Sequence, residues 1–220
     1  MSFSELYWHN IRMSDEPIEN YIKVRLNSLN ISEPVPFDLF LQINSKMVHY
    51  LRAGDSLTEE KLSKFEDKAP DSFYLQEKDR RDYKAYVHKS LRSDKLTPQA
   101  KATILRESSL TLVEELFESP DIKRALDESK GIIGDFVELM DAEPTAMAHL
   151  IGLSSHDFYT YTHSLDVGVY SLGLAQAAGF SGADLNEMGQ GALFHDIGKR
   201  QVDVNIICKD GPLDVGHLYR

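Results

Sequence analysis

The stretch Ser181-Gly-Ala-Asp184-Leu185-Asn-Glu-Met188-Gly189-Gln-Gly191-Ala192-Leu-Phe-His195-Asp196-Ile197-Gly198-Lys199 decides how the chain is read. Ser181 and Asp184 form an N-terminal box that opens a helix to Ile197, and Gly198 ends it. Leu185, Met188, Ala192 and His195 make one stripe on this helix, so His195 is predicted to face inward at its C-terminal end, with Asp196 beside it. Gly189, Gly191 and Ala192 keep the surface low, so a neighbouring helix can approach closely. The preceding helix opens near Asp157 and carries His163, with Val167, Tyr170 and Leu174 four, seven and eleven positions on. That shared face predicts that His163 also points to the interior.

Two inward imidazoles and a carboxylate form a hard set of nitrogen and oxygen donors. Neutral imidazole gives a lone pair to a divalent cation, while aspartate supplies negative charge and can bridge two ions. A buried carboxylate without such a partner is costly. Lys199 can pair with Asp196 or set its ammonium against an anionic substrate oxygen. Spacing alone leaves two readings open: a metal site, or an Asp–Lys ion pair at a helix end. Clustering of histidines adds little. Five of the eight (His149, His156, His163, His195 and His217) fall in the last third, and His-Asp occurs twice, at His156-Asp157 and His195-Asp196.

Upstream, the pattern changes from helical to alternating. Tyr21 to Leu29 is strand-like, and in Phe37-Asp38-Leu39-Phe40-Leu41-Gln42-Ile43 apolar residues recur at every second position. Asn44-Ser45 is a tight turn into Met47 to Leu51, which predicts a hairpin. Ala53-Gly54-Asp55 breaks that strand, and Ser56 with Glu59 is a capping box for a short helix through Lys68. Phe73 to Gln76 adds a strand and Lys78 to Leu91 a helix. His49 and His88 stand alone here and read as surface or interface residues. Arg92 to Leu96 is a polar joint. Thr97-Pro98 and Ser119-Pro120 each place an N-cap before a proline at the first helical position, and each opens a long helix. Pro144 starts a short helical piece that Gly152 ends. The expected fold class is α+β: a small α/β front domain over residues 1–95, then an all-helical domain over 96–220.

The chain has 220 residues, 42% hydrophobic and 27% charged, which suits a globular protein. Thirty-five acidic against 24 basic residues give a formal charge of −11, with no long basic block. Duplex DNA binding and polybasic membrane anchoring are therefore not expected. The apolar stretch Gly168 to Phe180 is too short to span a bilayer, and the N-terminus lacks the pattern of a signal peptide. Cys208 is the only cysteine, which excludes an internal disulfide and a cysteine-rich zinc site. These features point to the cytoplasm.

Tyr159-Thr-Tyr-Thr-His163-Ser164-Leu-Asp-Val167, followed by Gly191-Ala-Leu-Phe-His195-Asp196-Ile197-Gly198-Lys199, resembles the HD superfamily of metal-dependent phosphohydrolases. The match is closest to its HD-GYP subfamily, because Val204-Asn205-Ile-Ile-Cys-Lys209-Asp210-Gly211-Pro212-Leu213 looks like the loop that follows the His-Asp helix there. The resemblance implies that His163, His195 and Asp196 are metal ligands, that Asp196 bridges, and that Lys199 lies near the scissile phosphate. It implies a binuclear iron or manganese centre, hydrolysis of the messenger cyclic di-GMP, and a regulatory role for the front domain. Trinuclear members carry a glutamate where Tyr159 stands, which favours two ions over three. The GYP signature is absent, and further family ligands are expected beyond Arg220. The helical domain is therefore expected to be incomplete at the C-terminus, with little or no hydrolysis from the chain as it stands. Other readings are a phosphohydrolase of another small nucleotide, and a degenerate module that binds a nucleotide or a protein as a signalling scaffold. Long helices over Thr97 to Met140 suit a homodimer or a protein partner.

Overall fold

The structure, a computed structural model, describes residues 16–31, 33–63, 65, 70–118, 122–143, 145–154, 160–207, 209 and 211–212. Ser119-Pro120, Pro144, His156-Asp157, Tyr159, Cys208, His217, Arg220 and the expected helix end at Lys68 lie outside the described residues. The chain divides by compactness into Met1–Thr111 with Ala142–Leu150, and Leu112–Asp141 with Ile151–Arg220. This division falls within a helix rather than at the polar joint of residues 92–96. No described helix is long and apolar enough to cross a membrane.

The first unit holds a four-stranded antiparallel sheet: β1 (Tyr21–Arg25), β2 (Leu39–Ile43), β3 (Lys46–Leu51) and β4 (Ser72–Gln76), in the order β1-β4-β2-β3. β1 is shorter than its sequence predicts, because Leu26–Ser28 tightens into a 3-10 turn. The hairpin forms as expected. Asn44 and Ser45 both have positive φ, 47° and 61°, the backbone that a two-residue hairpin turn needs to match strand twist. Ile22 lies opposite Leu75 and Val24 opposite Phe73, so one face of the sheet carries fully apolar pairs. The other face gathers Tyr21, Phe40 and Met47.

Between β3 and β4, helix α1 (Glu59–Leu62) is capped by Thr58, whose Oγ1 accepts from the Lys61 N–H at 3.3 Å. The capping box expected from Ser56 and Glu59 therefore does not form: the cap falls two residues later as a single Thr58 bond, and Ser56 instead bridges to Pro34. Helix α2 (Arg80–Leu91) turns Tyr83 and Tyr86 onto Phe37, with edge-on rings at 5.8 Å and 5.6 Å. Both phenols find partners: Tyr83 Oη donates to Ser28 Oγ, and Tyr86 Oη accepts from the Asn30 N–H, each at 2.8 Å. His49 packs edge-on against Phe40 and lies 3.4 Å from Asp38, as a surface histidine would.

Helix α3 (Pro98–Glu118) starts as the sequence predicts, with the Ala100 N–H bonded to Thr97 Oγ1 at 3.2 Å. Helices α4 (Ile122–Ala142) and α5 (Ala146–Gly152) follow. Then come the two that carry the motif, α6 (Thr160–Ala177) and α7 (Gly182–Phe194). Gly179 (φ 91°) ends α6: the Phe180 N–H reaches the Ala175 carbonyl and the Gly179 N–H that of Gln176, both at 3.0 Å. This reverses the chain into α7. The last helix among the described residues is the short α8 (Val204–Ile207).

Within the second unit, α4, α6 and α7 meet at Gly189. A Cβ there would lie 2.8 Å from both Ile133 and Leu172. The low surface read from the sequence is thus used at Gly189, whereas a Cβ on Gly191 would meet nothing within 4 Å. Phe117 and Phe194 stack with centroids 6.4 Å apart.

Candidate metal centre

Two sequence-based expectations about this centre are corrected by the helix faces. On α6 the buried positions are Thr162, Leu165, Val169 and Leu172, with Ser164, Asp166, Gly168 and Ala175 beside them. His163 is half exposed, and so is Tyr170, while Leu174 is 74% exposed, so the stripe assigned to the interior faces solvent. On α7 the buried line is Leu185, Gly189 and Leu193, and Met188 and His195 turn outward. The physical reason is that α6 buries small polar side chains, Thr162 and Ser164, which a count of apolar residues assigns to the surface. Neither histidine is a core residue. Both stand where a ligand from solvent can reach them.

The end of α7 is also tighter than expected. The α-helix stops at Phe194, and residues Ile197–Gln201 form a 3-10 turn in place of a helix that runs to Ile197. In 3-10 geometry, residues three apart eclipse one another. Lys199 therefore sits over Asp196: its backbone N–H donates to the Asp196 carbonyl at 2.9 Å, and its Nζ to Asp196 Oδ2 at 2.6 Å. Ser181 occupies the N-cap of α7 without a side-chain capping bond.

The four residues singled out in the sequence come together. His195 Nε2 lies 3.3 Å and His163 Nε2 3.7 Å from Asp196 Oδ2, and the two imidazole centroids are 5.2 Å apart. One donor atom from each of His163, His195 and Asp196 lies within 4.8 Å of the others. Ligand bonds of about 2.1 Å around one ion place neighbouring donors roughly 3–4 Å apart, so this spacing fits a shared divalent cation. His149, on α5, is not among these donors.

Sequence reasoning missed one element of the site. His195 Nδ1 is 2.7 Å from the Ala192 carbonyl oxygen, which can only accept. The carbonyl therefore makes Nδ1 the donor and leaves Nε2 as the ring nitrogen that faces Asp196. A backbone carbonyl has no signature in the residue types, so only the helix geometry reveals it. Asp196, 16% exposed, has its carboxyl held below the ordinary carboxylate range. The hydrogen bond from Lys199 is the main cause, burial opposes it, and the positive fields of His195, Lys199 and His163 add to it. The donor is thus an ionised carboxylate throughout the physiological range.

No family model matches the chain. A cyclic di-GMP phosphodiesterase of Pseudomonas aeruginosa is 30% identical over 116 residues, or 51% of this chain and 28% of the relative. An HDG"Y"P protein of Bdellovibrio bacteriovorus matches in structure with a TM-score of 0.62 and 26% identity, covering 90% of this chain and 68% of its own. The chain resembles HD-GYP proteins in sequence and in fold. It spans 28% of the length of the curated relative it matches. The sheet-then-helices order of the HD-GYP likeness agrees with the α+β class read from the sequence.

Proposed function

We propose that this chain is part of a metal-dependent phosphodiesterase that acts on cyclic di-GMP in the cytoplasm. Residues 1–95 act as its regulatory front domain and residues 96–220 carry the hydrolase motif. The observation that supports this best is the convergence of His163 Nε2 and His195 Nε2 on Asp196 Oδ2, in a chain similar to a protein named as a cyclic di-GMP phosphodiesterase. The proposed cofactor is a pair of iron or manganese ions, which His163, His195 and Asp196 would help to hold. When bound, such ions acidify water and neutralise charge that develops on phosphate oxygens.

The chain's own residues do the rest. His163 and His195 offer neutral nitrogen lone pairs, and the Ala192 carbonyl fixes the tautomer and rotation of His195. Asp196 brings the negative charge that holds a cation at the surface of the helix pair. Lys199, half exposed on a four-carbon stem, can reach a phosphate oxygen and offset its charge. The test is hydrolysis of cyclic di-GMP by the full-length protein supplied with iron or manganese. Turnover that His195→Ala and Asp196→Ala abolish is expected. No turnover, or equal turnover in those variants, rejects the reading.

The 2.6 Å pair between Lys199 and Asp196 favours a second reading, a signalling scaffold in which this ion pair is purely structural. In that case the protein binds a nucleotide or a protein partner and holds no stoichiometric metal.

A further inference from the structure

We infer that Lys199 and a divalent cation compete for Asp196 Oδ2, so that loading the metal centre releases the lysine ammonium towards an anionic ligand. The inference rests on the metal-centre reading and concerns how that centre is filled.

Three nitrogens converge on one oxygen. Lys199 Nζ is 2.6 Å from Asp196 Oδ2, His195 Nε2 is 3.3 Å away, and His163 Nε2 is 3.7 Å away. Two of these nitrogens belong to imidazoles, which as neutral ligands would need a cation between themselves and the carboxylate. The third is itself a cation, already on that oxygen. An ion that uses Oδ2 together with both imidazoles must therefore weaken the Lys199 bond, because carboxylate charge drawn to a dication is lost to the ammonium. Repulsion between a dication and an ammonium a few ångströms apart acts in the same direction.

Lys199 is also free to leave. Its side chain is 47% exposed, and its stem is long and flexible. The 3-10 turn at residues 197–201 keeps its backbone beside Asp196, so a displaced ammonium stays within reach of an anion at the same site. Coupling of this kind is reciprocal: a phosphate that captures the ammonium must also tighten the metal, because it removes the competitor.

The test counts Mn2+ binding to the full chain from the electron paramagnetic resonance signal of the free ion, with and without inorganic phosphate. Circular dichroism verifies that each variant is folded. Lys199→Met, which keeps the stem and removes the charge, is expected to bind Mn2+ about five- to tenfold more tightly than the wild type, the scale of one partly screened charge pair. Lys199→Arg, which keeps the charge, is expected to stay near the wild type. Phosphate is expected to tighten Mn2+ binding in the wild type and to have little effect in Lys199→Met. Binding that is unchanged or weaker in Lys199→Met overturns the competition and makes Lys199 an orienting group for the carboxylate. If the wild type binds Mn2+ and loses it in His195→Ala, that result leaves the metal centre standing. If neither the wild type nor Lys199→Met binds Mn2+, the metal centre itself fails and the competition with it.

Discussion

In β2 and the loop before it, Phe37 and Leu39 are buried, Leu41 and Ile43 are half-buried and Gln42 is exposed, while Phe40, on the opposite face, is buried as well. In α6, His163 and the three residues that share its face, Val167, Tyr170 and Leu174, are half-buried to exposed, and the core is reached instead through Thr162, Leu165, Val169 and Leu172. The strand follows its apolar alternation apart from Phe40, which the second face of the sheet buries, whereas the motif helix turns its whole expected stripe outward. A strand has only two faces, so alternation still sorts its residues between them even though both faces of this sheet bury apolar side chains. A helix that is apolar on several sides gives the pattern no single face to choose. α6 also buries a threonine, a serine and an aspartate, which moves the core stripe away from where apolar counting places it.

The largest effects expected from this contrast are truncations of buried side chains. Phe37→Ala should cost about 3–5 kcal/mol in chemical denaturation, because a filled position between Tyr83 and Tyr86 is emptied. Leu172→Ala should cost about 2–5 kcal/mol, whereas Leu174→Ala, two residues on, should stay within about 0.5 kcal/mol. Equal losses at 172 and 174 would break the corrected orientation of α6.

Next come the glycines of α7. Gly189→Leu should destabilise the protein by about 2–3 kcal/mol, because even a Cβ there overlaps Ile133 and Leu172. Gly191→Ala should be neutral or stabilising by up to about 1 kcal/mol, because its Cβ position is open and alanine favours helix. A smaller gain is expected in the hairpin. Ser45→Gly should add about 0.5–1 kcal/mol, because the φ of 61° at Ser45 is left-handed backbone that glycine adopts without strain.

The pH dependence of the site gives the finest distinction. The folded Asp196 carboxyl titrates below its ordinary value of 3.8, so its stabilising contribution is complete above that value and is lost as pH falls through the lowered one. Lys199→Met removes the main cause and should move the Asp196 titration, followed by carboxyl NMR, up towards the ordinary range. The difference in stability between wild type and variant should then be present at neutral pH and vanish in acid. A difference that persists below both titrations would assign the effect to packing of the lysine stem.

Much of the fold was legible because it rests on local chemistry. The Asn44-Ser45 turn, the Thr97-Pro98 helix start and the Gly189 contact all follow from what single residues can and cannot do. The site was legible as a set of residues and less so as geometry. His163 and His195 were expected to converge from inward faces, and they converge from outward ones, because both stripes are turned in the same sense. The 3-10 turn that stacks Lys199 on Asp196 and the Ala192 carbonyl that orients His195 are backbone features, and residue types do not encode them directly.

Equilibrium dialysis of the protein against Mn2+ or Fe2+, followed by metal analysis, tests most directly whether His163, His195 and Asp196 hold an ion together. At least about one ion per chain is expected in the wild type. Affinity should fall roughly tenfold or more in each of His163→Ala, His195→Ala and Asp196→Ala, and stay unchanged in a His49→Ala control. A wild-type protein that retains no metal, or three variants that bind it as well as the wild type, would contradict the claim.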